Sequence, residues 1–190
     1  MASNANSRAL PANPVSAAVT TAQVFNLVSN SAVPATCVAR GKSILEGKTF
    51  LVQAQGNAVT AGNYTLKASL LAALVIPGTP LTATNWTLLG SGTARAVNTA
   101  YTPWNIQAEL QFDSNGGIMH GVFSQEVNNL FDAWAALTNT LTGINGTNAV
   151  TAQGATVPPA DPCIYFAAAL TFGTANVANI GNLISLELDY

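Results

Sequence analysis

Residues 104–123 read WNIQAELQFDSNGGIMHGVF, and their pattern decides the fold. Trp104, Ile106, Ala108, Leu110 and Phe112 alternate with Asn105, Gln107, Glu109 and Gln111. A period of two over this length describes a strand with one face on a core and the other facing water. Asp113-Ser114-Asn115-Gly116-Gly117 then supplies turn chemistry, because its glycines are free to take positive φ. A second strand is predicted over residues 118–123. Two strands joined by such a turn predict an antiparallel sheet packed on one side.

Outward from this hairpin the same period recurs. In residues 49–55, TFLVQAQ, Phe50, Val52 and Ala54 oppose Leu51, Gln53 and Gln55. Residues 56–63, GNAVTAGN, read as a linker. Over residues 64–76 an apolar row from Tyr64 to Ile76 alternates first with Thr65, Lys67 and Ser69, then with Leu71, Ala73 and Val75. Leu and Ala also favour helix in that second half, but the alternation before it selects strand. A strand apolar on both faces is covered on both sides, by its own loops or by a partner. Residues 163–172, CIYFAAALTF, form another strand, and residues 183–190 a last one with Ile184, Leu186, Leu188 and Tyr190 inward. Shorter strands are predicted at residues 22–28, 37–44, 86–89 and 93–97.

Residues 124–144 are ambiguous. Val127, Leu130, Phe131, Trp134, Leu137 and Leu141 have helical spacing, whereas the Thr-rich end prefers strand. A short helix or loop followed by a strand is expected, then a long loop over residues 145–162. With no βαβ rhythm and no internal repeat, the chain is predicted to be all-β: an antiparallel β-sandwich, jelly-roll-like, with at most one short helix. Residues 1–14 form an N-terminal arm, and residues 15–190 a single domain. The arm is small and polar, without the basic start and apolar run of a secretory signal. It either embraces a neighbour or lies on its own domain.

Composition narrows the function classes. The chain is 49% hydrophobic and only 7% charged, against about 25% for an average domain. Its apolar runs, such as residues 70–76, are far short of the roughly 20 residues of a spanning helix, so no membrane is expected. The surface must therefore be built from Asn, Thr, Ser, Gln and Ala. It has little charge repulsion to keep it dispersed. That implies either cover by neighbours in an assembly or the neutral surface of a secreted β protein. A net charge of −2 and no basic stripe argue against nucleic acid. Cys37 and Cys163 make no metal motif; buried thiols are the default, and a disulfide stays open.

No constellation promises catalysis. His120 stands alone, and no GxSxG elbow accompanies it. Glu109, Asp113, Glu126 and Asp132 are the available carboxylates, but nothing marks a pair across a cleft. Residues 113–117 lack the later acids of a calcium loop. Sequons at Asn63, Asn85 and Asn145 are expected by chance in so Asn- and Thr-rich a chain. No catalytic, cofactor or metal residue is assigned, and an enzyme is not expected. Trp104 belongs to a core row. Trp86 and Trp134 are free to form a sugar-stacking platform.

Residues 104–123, with IYFAAALTFGTANVANIGNLISLELDY after them and LEGKTFLVQAQGNAVTAGNYTLKASLLAALVIPG before, resemble jelly-roll virion proteins of tailed bacteriophages. The resemblance is one of strand pattern and composition over most of residues 40–190. It implies a capsid decoration or cement protein on the outer surface of the virion, often a trimer, made in the host cytoplasm. Its implied partners are sibling subunits and the major capsid protein or another virion protein. Candidate interface residues are Leu10 in the arm, Leu71 and Val75 on the two-sided strand, and the amide row Asn105, Gln107 and Gln111. The loops near residues 77–85 and 145–162 are further contact elements. The alternatives are a carbohydrate-binding sandwich module that uses Trp86 or Trp134, and a subunit of another assembly such as a tail, filament or surface layer.

Overall fold

The computed structural model describes residues 7–8, 15–16, 22–26, 49–75, 86–113, 118–140 and 163–189. All regular structure among them is β, in two antiparallel sheets. The larger sheet holds β1 (Ser7–Arg8), β2 (Val15–Ser16), β4 (Thr49–Val59), β8 (Thr102–Asp113), β9 (Ile118–Val127), β10 (Leu130–Phe131), β11 (Ala135–Thr140) and β13 (Ile180–Asp189). The smaller holds β3 (Ala22–Asn26), β5 (Tyr64–Val75), β6 (Thr87–Ser91), β7 (Arg95–Val97) and β12 (Cys163–Phe172).

The larger sheet runs β1-β13-β4-β8-β9-β10, with β2 also on β13 and β11 also on β9; the smaller runs β3-β12-β5-β6, with β7 on β5. The consecutive strands β4 and β5 lie in opposite sheets, and β13 and β12 are their respective partners. This nesting of an early strand pair on a late one is the jelly-roll-like feature of the fold.

The period-two rows become the core. Phe50, Val52, Ala54, Trp104, Ile106, Ala108 and Leu110 are buried on the inner side of the larger sheet; Leu66, Ala68, Leu70, Phe166, Ala168, Leu170 and Phe172 meet them from the smaller. The rings of Phe50 and Phe166 pack across the layers with centroids 6.2 Å apart. Each large side chain buried this fully contributes about 1.5–3 kcal/mol. Ser69, Ala73, Ala167 and Ala169, on the other side of β5 and β12, are buried too. On that second side of β5, Ser69 and Ala73 are thus covered within one chain, while Leu71 is half-buried.

Three local departures from the expectations have physical causes. First, β4 continues through Gly56 to Val59, and only a short turn separates it from β5. A Cβ at Gly56 would sit 2.7 Å from the Trp104 indole and 1.9 Å from the Asn182 carbonyl oxygen. Glycine is what allows the large ring and two neighbouring strands to close around this point.

Second, residues 124–134 are not helical. β9 runs on to Val127, and Asn128 and Asn129, with φ of 55° and 60°, turn the chain back into β10. Two consecutive positive φ values suit the right-handed twist of a tight hairpin, and Asn tolerates them. After Phe131 pairs with Glu126, Ala135 pairs with Phe123, so one extra residue is bulged out around 133–134. That bulge, together with the turn, lends the apolar residues their helix-like spacing. Val127 and Leu137 are buried, while Leu130, Phe131 and Trp134 remain exposed.

Third, Ile184 points outward rather than inward and is 51% exposed, because the β13–β4 register shifts between Leu183 and Ser185. Leu183, Leu186 and Leu188 keep the inner side. Ser7 and Arg8 of the arm pair with Leu188 and Glu187, so this segment lies on its own domain; just after the arm, Val15 and Ser16 pair with Gly181 and Ile180. Leu10, Cys37, Tyr190, the strand expected at 37–44 and the loops near 77–85 and 145–162 lie outside the described residues; of Val75 and Cys163 only the strand position is described.

Candidate functional site

The outer side of the larger sheet is where the polar halves of the alternating strands collect. Because register is continuous across β4, β8 and β9, and across β13 from Ser185 onward, outward residues form rows perpendicular to the strands. One row is Glu187–Gln53–Gln107–Ser124. The next is Ser185–Gln55–Asn105–Glu126–Phe131, across five strands. A third is Thr49–Gln111–His120–Thr138. In that row Gln111 Nε2 donates to Thr49 Oγ1 over 3.4 Å, and Gln111 Oε1 stands 3.3 Å from His120 Nε2. Asn105, Gln107 and Gln111 therefore share one face, with Asn105 and Gln107 half-buried and Gln111 exposed. Leu51 and Val122 are apolar islands in the row through Glu109.

At one end of this face lies a groove of about 340 Å³. Gly56 and Trp104 line its base. Its rim carries Gln55, Asn105, Glu126 and Asn129, with Ile184 and Pro103 as apolar flanks. Two backbone irregularities shape it: the β13 bulge presents Ile184, and the positive-φ turn presents Asn129. A second hollow of about 360 Å³ lies among the end turns near Tyr64, Val97 and Gly173.

A separate polar cluster ties the two sheets together. Gln125 projects inward from β9 and is buried. Its Oε1 accepts the Ala68 N–H at 2.8 Å, and its Nε2 donates to the Thr93 carbonyl at 2.5 Å. The side chain thereby satisfies backbone groups of the smaller sheet where β6 has ended and β7 has not begun. Gly92 leaves the space: a Cβ there would fall 1.8 Å from Gln125 Cδ. Beside it, Asp132 accepts the Thr93 N–H at 2.7 Å and pairs with the Arg95 guanidinium. Burial pushes the Asp132 carboxyl up, but the Thr93 N–H, the Arg95 guanidinium and the Gln125 amide outweigh it and hold the group below its ordinary value. Asn139 Nδ2 donates to the Leu89 carbonyl at 2.9 Å, closing the same side of the sandwich.

Glu109 and Glu126 are not arranged as a hydrolytic pair. Glu126 lies opposite Asn105, four residues along β8 from Glu109, which places their Cα atoms roughly 14 Å apart from strand rise and spacing. Asp132 is committed to the inter-sheet cluster. Glycoside-cleaving pairs need about 5–10 Å between carboxyls. Among the described residues no group of His, Cys, Asp and Glu gathers as a metal site.

Trp104 is buried as its row predicts, Trp86 is half-buried, and Trp134 is 45% exposed next to Phe131 at 56%. Gln125 escaped the sequence reading because its environment is set by the opposite sheet. An inward position within the β9 alternation, occupied by an amide, was the available signal. The groove escaped it as well, since it depends on the bulge at Ile184.

No family model matches the chain, and no curated protein does. Two solved structures are similar. The CBM2 module of Lactobacillus casei BL23 phage J-1 evolved Dit shares 10% identity over 89% of this chain and 68% of its own, with a TM-score of 0.34. SCLam, a non-specific endo-β-1,3(4)-glucanase from family GH16, shares 9% identity over 78% of this chain and 60% of its own, with a TM-score of 0.30. Both are β-sandwich proteins, one of them a phage component.

Proposed function

We propose that this chain is a non-catalytic structural protein of a virion, a decoration or cement protein that adheres to the shell and to sibling subunits. The observation that carries the reading is the outer face of the larger sheet, whose rows set neutral amides and hydroxyls (Gln53, Gln55, Asn105, Gln107, Gln111, Thr49, Thr138, Ser185) among the acids Glu109, Glu126 and Glu187. Burying charge against a partner requires stripping strongly held water. Amides are cheaper to desolvate and carry both donor and acceptor, so they re-pair across an interface. From strand spacing and rise, the face measures roughly 19 by 30 Å before side-chain relief is counted. That approaches the ~800 Å² per partner of a standard interface. Apolar burial at about 25 cal/mol per Å² then supplies adhesion, offset in part by the cost of association.

The test is to purify virus particles from a culture whose phage genome encodes this chain and to band them in caesium chloride. The chain is expected to co-band with intact particles and to be labelled on their outer surface by antibody. Its absence from the particle overturns the reading. Sedimentation velocity of the isolated protein is expected to show a closed oligomer, a trimer in the simplest case.

A second reading, a carbohydrate-binding sandwich module, is favoured by the exposure of Trp134 and Phe131. Exposed aromatic rings offer flat faces for sugar C–H surfaces. Binding to neutral glycans that is lost in Trp134→Ala is its expected result.

A further inference from the structure

We infer that the groove over Gly56 and Trp104 is a saccharide subsite that takes a neutral sugar chain lying across the strands. This rests on the second reading above and moves its binding locus from the exposed tryptophan to the sheet face.

The row Gln55–Asn105–Glu126 supplies amide donors and acceptors and one carboxylate, side by side on neighbouring strands. Neighbouring strands are about 4.8 Å apart. Such a row offers repeated donor–acceptor pairs to the vicinal hydroxyls of a chain running perpendicular to the strands. Ile184 at one end and Phe131 at the other extend the row with apolar surface for sugar C–H faces. The volume, about 340 Å³, lies at the small end of the 300–1,000 Å³ typical of ligand pockets.

The chemistry argues against an anionic ligand and against a peptide strand. Among the described residues no Lys or Arg lines the groove, and Glu126 does, so an anionic ligand meets repulsion without compensation there. A peptide strand would seek an open sheet edge, whereas this groove crosses paired strands whose backbone groups are already used. Its two ends are shaped by departures from regular structure, the bulge that turns Ile184 outward and the turn that carries Asn129. Bulges of this kind re-aim side chains at functional places.

Isothermal titration with neutral hexasaccharides of β-1,4-glucan, β-1,3-glucan, β-1,4-xylan and mannan backbones, and with polygalacturonate as the anionic control, tests this. At least one neutral chain is expected to bind and polygalacturonate is not. The double variant Gln55→Ala/Asn105→Ala is expected to weaken binding at least tenfold, with Trp134→Ala changing it less than threefold. Ile184→Asp, at an exposed bulge position, gives the same loss without touching the ladder. Near-UV circular dichroism verifies that each variant is folded. Binding that survives the groove variants and disappears in Trp134→Ala overturns the groove but keeps the second reading. No binding by any neutral chain overturns both.

Discussion

The Gln125 side-chain oxygen accepts the backbone N–H of Ala68, 57 positions away on the facing sheet, at 2.8 Å. A side chain of one layer thus completes the hydrogen bonding of the other at the gap between β6 and β7. Gln125→Leu removes the partners of the Ala68 N–H and the Thr93 carbonyl while keeping the volume nearly constant. Each buried group left unsatisfied costs about 1–3 kcal/mol, so a loss of roughly 3 kcal/mol is expected in urea unfolding. A loss below 1 kcal/mol would show that water replaces the amide.

Asp132 makes stability depend on acid. Its carboxyl is held below its ordinary value of 3.8. A group depressed in the folded state contributes stability that is fully present above the unfolded value and disappears as pH falls through the folded one. Asp132→Asn retains an acceptor for the Thr93 N–H but loses the charge facing Arg95. The wild-type advantage in melting temperature is expected at pH 6 and to vanish towards pH 2. An advantage that persists unchanged at pH 2 contradicts this assignment.

Gly121 faces the backbone of β8 so closely that a Cβ would lie 1.9 Å from the Glu109 carbonyl oxygen, with φ at +156°. Gly121→Ala is expected to cost roughly 2–3 kcal/mol by prising β8 from β9. Gly62→Ala is the control, because its Cβ would meet only the movable Tyr64 ring, at 3.2 Å. Its melting temperature is expected to stay within a few degrees of wild type.

The hairpin turn at Asn128 and Asn129 requires positive φ at both residues. Asn128→Val is expected to destabilise by about 1–2 kcal/mol, since β-branched residues strain there. Asn129→Gly is expected to be neutral or mildly stabilising. Equal effects of the two in thermal melts would contradict the turn type.

What could be read from sequence is what a period of two controls. Phe50 to Ala54, Trp104 to Leu110, and Phe166 to Phe172 each place their apolar row inside, because side-chain direction in a strand is set locally. The amide face of Asn105 and Gln107 followed from the same rule. Single-residue insertions are invisible to it. One extra residue turns Ile184 out, and another around 133–134 made a strand look helical. Gln125 is harder still, since its bonding partners belong to β5 and to Thr93. The sugar-stacking candidates divided in the same way: Trp134 is exposed by its bulge, whereas Trp86 is half-buried.

The pairing of β13 with β4 also governs how the molecule is made. Asn57 and Asn182, hydrogen-bonded at 2.8 Å, are 125 positions apart in sequence. The β8–β9 hairpin closes locally and is available as an early nucleus, but β4 waits for a distant strand before one of its edges is paired. Such long-range closure places the chain among slow folders. In the interval β4 offers an open backbone edge to other nascent chains. Expression at low temperature and low chain concentration is the regime in which this edge meets β13 before it meets a stranger.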